Sequence, residues 1–222
     1  MQLRIENIPC LCLGDNRERA ILFVHGKMGR KEEAIPFYKT LDGKVSVVSL
    51  DLPADDLTPW TAAPQIWKVY EWMKPRYSHI SLRAASIGAY FSMLALQDAP
   101  IEKALFVSPV TDMEMLIQNM MLWANVTEDR LREKKEIPTD FGETLSWEYY
   151  TWVKSHPISW QTDTEILYGS ADNLISRDMI DAFIQSKHRH LTVMEGGEHW
   201  FHTEDQLAFM SKWEKAKTVE KF

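Results

Sequence analysis

The chain has 222 residues, 45% hydrophobic and 26% charged, which suits one well-buried core and excludes intrinsic disorder. A formal net charge of -7 leaves no basic excess to neutralise phosphates, so nucleic acid is not an expected partner. No apolar run approaches the roughly 18 to 20 residues of a membrane span, and the start lacks the basic region and apolar core of a secretory signal, so a cytoplasmic protein without a membrane partner is expected.

The only cysteines, Cys10 and Cys12, would point to one face of a strand and do not easily reach disulfide geometry; they read as reduced packing residues. Two cysteines without a nearby histidine also fall short of a structural zinc set, and no metal is expected. The first clear buried strand spans 20–25 and runs into His25-Gly26-Lys27-Met28-Gly29, where the glycines permit a tight turn. His25, just inside a strand end, reads as a structural hydrogen-bonding residue, and the Lys27 side chain as solvated. A helix over 31–41, a strand over 45–51 and a helix over 65–77 follow.

The strand over 79–85 passes into a helix over 87–97 with Ser86 at the junction, between Ala84 and Gly88. A serine among small residues is by itself no more than a candidate N-cap. A strand over 103–108 then leads into 111–160, a stretch with no convincing strand but with helical patterns at about 112–122, 128–136 and 143–154. Thr111 and Glu114 have capping-box spacing, and Met113, Leu116, Ile117, Met120 and Met121 recur on one helical face. The segment reads as a helical insertion within one domain spanning 1–222. It holds Trp123, Trp147, Trp152 and Trp160 together with Tyr149 and Tyr150. Aromatic stripes of this kind are more often packing than ligand contacts, though Trp123, Trp147 and Tyr150 are candidate pocket residues. The mixed-sign run 128–136 reads as a solvated face.

A strand over 164–169 is followed by Gly169-Ser-Ala-Asp172, where the bland reading of Asp172 is a turn residue. A helix over 176–186, with Ser176 as cap, and a strand over 191–195 lead to Gly196-Gly197-Glu198-His199, left as a loop before a helix over 203–217. Thr203 and Gln206 have capping-box spacing at that helix. The competing histidine, His202, sits beside the Thr203 cap and lacks the preceding glycines.

Strands alternating with helices point to a mainly parallel sheet covered on both faces. Ala84-Ala-Ser86-Ile-Gly88 resembles the G-x-S-x-G nucleophile elbow of α/β-hydrolases, with Ala84 in place of the first glycine. The His25 to Gly29 turn, the Gly169 to Asp172 loop and the Gly196 to His199 loop resemble the other parts of that family's machinery, in the family's order. The resemblance covers nearly the whole chain and implies the α/β-hydrolase fold with a helical lid at 111–160. It implies Ser86 as nucleophile, His199 as base and Asp172 as acid, with Asp112 as the alternative acid because some members place the acid after the earlier strand. It further implies the backbone N–H groups of Lys27 and Ile87 as an oxyanion hole and no cofactor. A small or medium uncharged carboxylic ester is the expected substrate. Thioesters, acyl amides, acyl transfer or lyase chemistry, and a catalytically silent binding module stay open, as does the oligomeric state.

Overall fold

The computed structural model describes residues 1–219. Ten strands form: β1 (Gln2–Ile5), β2 (Ile8–Leu13), β3 (Arg19–Val24), β4 (Ser46–Leu50), β5 (His79–Ala85), β6 (Ala104–Val107), β7 (Glu136–Pro138), β8 (Thr144–Ser146), β9 (Thr164–Gly169) and β10 (Arg189–Met194). Eight of them make one sheet in the order β1-β2-β4-β3-β5-β6-β9-β10. β2 runs antiparallel to both its neighbours, and every pairing from β4 to β10 is parallel. This is the α/β-hydrolase architecture.

Parallel strands buried on both faces should be apolar throughout rather than alternating, and β4 and β9 are buried at every position. Alternate residues nevertheless go to different cores. Leu22, Val24, Val48 and Leu50 pack under α2 (Pro59–Met73) and α3 (Ile87–Leu96), whereas Ile21, Phe23 and Val47 pack under α1 (Ala34–Thr40). The last helix, α8 (Glu204–Val219), adds Trp213 to a third cluster with Leu105 and Leu167. A buried ion pair from Arg83 on β5 to Glu214, 2.8 Å, fastens α8 to the sheet; burial pushes the Glu214 carboxyl up while Arg83 opposes the shift.

Several boundaries differ from the sequence reading for identifiable reasons. α2 starts six residues earlier than expected because Thr58 caps it and Pro59 occupies the first helical position, where a missing N–H costs nothing. Pro64 is tolerated inside it, and Pro75 halts it before 77. β1 was not expected, and β2 only as the strand that would carry Cys10 and Cys12; they are antiparallel strands at the sheet margin, with β1 half exposed.

The insertion contains α4 (Met113–Trp123), α5 (Glu128–Lys134) and α6 (Trp147–Ser155), but also the antiparallel pair β7 and β8, so the expectation of no strand there is corrected. Three-residue strands are too short to show periodicity. The Thr111 to Glu114 capping box does not form either. Asp112 is the cap, accepting from the Met115 N–H at 2.8 Å, and Thr111 Oγ1 donates instead to the Met179 carbonyl. Ser176 caps α7 (Arg177–Phe183) as expected. At α8, Thr203 Oγ1 accepts from the Gln206 N–H, but Gln206 reaches back to the N–H of His202 rather than that of Thr203.

Among the described residues no helix is long and apolar enough to cross a membrane, and no group of three or more His, Cys, Asp or Glu is placed to hold a metal. Cys10 and Cys12 are both free, and burial pushes the Cys10 thiol up to about 11.

Candidate active site

The end of β5 has to turn at once into α3, and the residue at the turn carries the strain. Ser86 takes φ 50° and ψ -126°, a region that side chains avoid and that costs on the order of 1 to 3 kcal/mol. Its N–H donates to Val107 O and its carbonyl accepts from the N–H of Val110, so β6 and the chain beyond it hold the strained residue in place. The turn also needs room. A methyl on Gly88 would lie 2.2 Å from the His25 carbonyl oxygen, so only glycine allows α3 to pass this close to the β3 turn.

That turn, 25–29, comes within 3.2 Å of Ser86 Cβ, measured from where a methyl on Gly26 would stand. Its left-handed residue is Met28, φ 61°, rather than a glycine; Gly29 is needed instead because a methyl there would press on His25 and Glu33. His25 is the anchor. Its Nε2 accepts from the Leu52 N–H at 3.0 Å, so its Nδ1 carries the proton and donates to Gly26 O at 2.7 Å, tying the turn to the chain after β4. Among the described residues, no acceptor takes the N–H of Lys27 or that of Ile87. The Lys27 side chain is exposed, as expected, and pairs with Glu143 in the turn between β7 and β8.

On the other side of Ser86, two loops meet. The Asp172 side chain is fully buried and its Oδ1 accepts from the N–H groups of Leu174 and Ile175 at 2.9 and 2.8 Å. Its Oδ2 accepts from His199 Nδ1 at 2.8 Å, which leaves Nε2 unprotonated to accept from the Ser86 hydroxyl at 2.9 Å. His202, the competitor, is directed to the Trp200 carbonyl and Glu198. Asp112 spends its carboxylate on the α4 cap, and no bond joins it to His199. His199 therefore lies within hydrogen-bond reach of both Ser86 and Asp172, and Asp112 is not brought to them.

A cavity of about 160 Å³ opens beside Ser86, between the turn from β5 to α3 and the insertion. Leu116, Ile117 and Met120 of α4, Leu145 of β8, and Leu57 and Leu174 give it apolar walls. Of the aromatic residues in the insertion, Tyr149 lines this cavity; Trp123, Trp147 and Tyr150 do not. Trp123 is half exposed against Phe141, whereas Tyr150 is buried with its hydroxyl bonded to Glu128 and Gln118. Tyr149 has the signal that sequence reading could not weigh, because adjacent residues on a helix differ by 100° in direction and the register of α6 was not fixed. A larger open cleft of about 370 Å³ lies elsewhere, between the β1–β2 turn and α2. Its charged lining residues Lys68 and Asp51 are already paired, with Glu6 and Lys31.

No protein-family model and no curated protein matches the sequence. Solved structures do match. A ferulic acid complex of Est1E from Butyrivibrio proteoclasticus superposes with a TM-score of 0.80 at 18% identity, over 100% of this chain and 98% of that one. Alpha/beta hydrolase domain-containing protein 10 from mouse gives 0.77 at 12% identity over 99% and 98%. A thioesterase domain from the curacin biosynthetic pathway gives 0.61 at 14% identity over 96% and 98%. At these identities the likeness establishes the α/β-hydrolase fold and not a shared substrate.

Proposed function

We propose that this chain is a serine hydrolase that cleaves small or medium uncharged carboxylic esters through an acyl-enzyme, with Ser86 as nucleophile, His199 as base and Asp172 as the acid. The observation that carries the reading is the unbroken relay from Ser86 Oγ through His199 to a buried Asp172, at 2.9 and 2.8 Å, ending on a serine held in a strained conformation. A relay of this kind activates a hydroxyl that is a weak nucleophile on its own.

In the reaction, His199 Nε2 takes the Ser86 proton as Oγ attacks the ester carbonyl carbon. The carbonyl oxygen becomes an oxyanion, for which the N–H groups of Lys27 and Ile87 are the donors. Collapse breaks the bond to the alcohol oxygen, which takes the proton from His199. Water then gives its proton to the same nitrogen, attacks the acyl carbon and releases the acid, restoring Ser86. Asp172 holds the imidazole in the tautomer this cycle requires and stabilises its charged form. Substrate and water apart, every group in this scheme belongs to the chain, and the proposed cycle needs no cofactor.

The apolar cavity walls and a volume below the roughly 300 to 1,000 Å³ of drug-sized sites support a modest uncharged acyl group. Thioesters and acyl amides would meet the same catalytic centre. A fluorophosphonate probe followed by peptide mapping tests the proposal: label is expected on Ser86 alone. Ser86→Ala should abolish labelling and reduce ester turnover by roughly a millionfold in kcat. Label on another serine, or an Ser86→Ala variant that keeps most of its activity, would reject it.

A further inference from the structure

An ion pair whose partners are both partly open to solvent stabilises a fold very little, so one placed at the wall of a cavity calls for another reason. Lys27 and Glu143 form such a pair: Nζ donates to both carboxylate oxygens at 2.5 Å, with the two side chains 47% and 36% exposed. Both residues line the cavity beside Ser86, and among the described residues that line it they are the only charged ones. The remaining lining is apolar except for the hydroxyl-bearing Ser86, Thr144, Ser146 and Tyr149.

The two charges come from separate parts of the chain. Lys27 belongs to the turn after β3, whereas Glu143 ends the turn between β7 and β8. There its N–H donates to Thr139 Oγ1 at 3.2 Å and its carbonyl accepts from the Thr139 N–H at 2.8 Å, so the hairpin fixes where the carboxylate stands. Beside apolar walls a charge acts on another over several ångströms without contact, because little polar material screens it. A lone Lys27 ammonium would draw in a chain that carries a carboxylate, and a lone Glu143 would draw in an ammonium. Paired, they cancel, and a charged chain that enters loses its water with nothing to replace it.

We propose that Glu143 is a specificity-determining residue: by cancelling the Lys27 charge it keeps the cavity neutral and excludes esters whose acyl chain ends in a carboxylate. The substrate class is then an ester without charge on its acyl chain, and the exclusion of anions depends on one removable carboxylate rather than on the apolar walls alone. Specificity built by withholding a partner from the wrong substrate is a difference between affinities, so it shows as a ratio of rates and not as a rate. This inference rests on the serine hydrolase reading.

The test compares three 4-nitrophenyl esters of similar length near neutral pH: heptanoate, hydrogen adipate and 6-aminohexanoate, each rate normalised to its own hydroxide hydrolysis. In the native protein heptanoate should exceed both charged esters in kcat/KM. Glu143→Gln should raise the adipate-to-heptanoate ratio about 10-fold, far less than an unscreened charge would give because the ammonium is partly exposed. The gain should shrink as salt rises from about 20 mM to about 500 mM. Lys27→Gln should raise the aminohexanoate-to-heptanoate ratio instead, and the double variant should return both ratios to near their native values. A structural role for the pair would not produce this crossed pattern, and the buried Asp172 charge, present in every variant, drops out of the comparison. A native protein that prefers adipate overturns the assignment, as do ratios that stay native in either single variant or a gain that salt leaves untouched. An equal rise or fall on all three esters overturns it too, making the pair a brace for the insertion. If Ser86 takes no fluorophosphonate and no ester is turned over, the serine hydrolase reading has failed and this inference with it. Labelled Ser86 with unchanged ratios fails Glu143 alone.

Discussion

The backbone of Gly197 passes so close over Gly169 that a methyl on Gly169 would stand 2.2 Å from the Gly197 carbonyl oxygen. The contact joins the end of β9, which leads to Asp172, to the loop that carries His199. It is reinforced by the Ala171 N–H donating to Gly197 O at 2.8 Å and by the Gly196 N–H donating to Ser170 Oγ. The distance from acid to imidazole is thus set by two glycines rather than by either side chain. Gly169→Ala should push the histidine loop outward and lower kcat/KM on an activated ester by roughly 100-fold, as misplacements of about 1 Å do. Its melting temperature should also fall. A fully active Gly169→Ala protein would show that the loop yields at no cost.

The eight-stranded sheet was legible mainly where strands are buried on both faces, since Ile21 to Val24 and Ile166 to Gly169 give unbroken apolar runs and Val45 to Leu50 a run broken only by the small Ser46 and Ser49. Ser86, Asp172 and His199 were legible because each sits at a strand end among glycines or alanines, a local requirement written in local sequence. The turn at 25–29 was read in place, but not Met28 as its left-handed residue. The insertion resisted because its contacts are tertiary: Glu143 finds Lys27 across 116 residues, and the phase of α6 alone decides that Tyr149 and not Tyr150 faces the cavity.

That phase changes what the insertion's aromatic residues should do on mutation. Trp147 opens α6 and packs on Tyr150 without reaching the cavity, whereas Met120 of α4 lines it. Trp147→Ala should lower the melting temperature and reduce activity evenly from 4-nitrophenyl acetate to octanoate. Met120→Ala should instead move the preferred acyl chain to a longer homologue, because it removes wall rather than support. A shift in chain preference from Trp147→Ala would place that ring against substrate after all.

Acid stability should depend on the pair that braces the residues after the turn at 25–29. Lys31 Nζ meets Asp51 Oδ2 at 2.6 Å, and the Lys31 N–H donates to Oδ1. Burial alone would raise the Asp51 carboxyl, but these Lys31 contacts outweigh it and hold the group below the usual carboxylate range. A carboxyl with a lowered folded pKa contributes stability that is fully present above its unfolded value of about 3.9 and is lost as pH falls through the folded value. The melting temperature of Asp51→Asn should therefore vary less with pH than that of the native protein below about pH 4.5. Parallel curves would mean that the pair adds nothing, as many partly exposed pairs do.

The acid of the relay can be identified by comparing two aspartates that both follow sheet strands. The Asp172 side chain is fully buried, accepts two backbone N–H bonds on Oδ1 and faces His199 with Oδ2. Asp112 accepts from the Met115 N–H at the start of α4. An amide in place of the Asp172 carboxylate can keep the backbone bonds through its oxygen but then presents N–H groups to His199 Nδ1. The ring would have to place its proton on Nε2, where it can no longer take the Ser86 proton. Asp172→Asn should accordingly lose on the order of 10⁴-fold in kcat near neutral pH. Asp112→Asn should lose little, because asparagine caps helices about as well as aspartate does, while Asp112→Ala should cost about 0.5 to 2 kcal/mol of stability and little activity. Thermal melts on all three variants separate folding from catalysis. Full activity in Asp172→Asn with a collapse in Asp112→Asn would transfer the acid to Asp112, and the relay would then have to rearrange before it turned over.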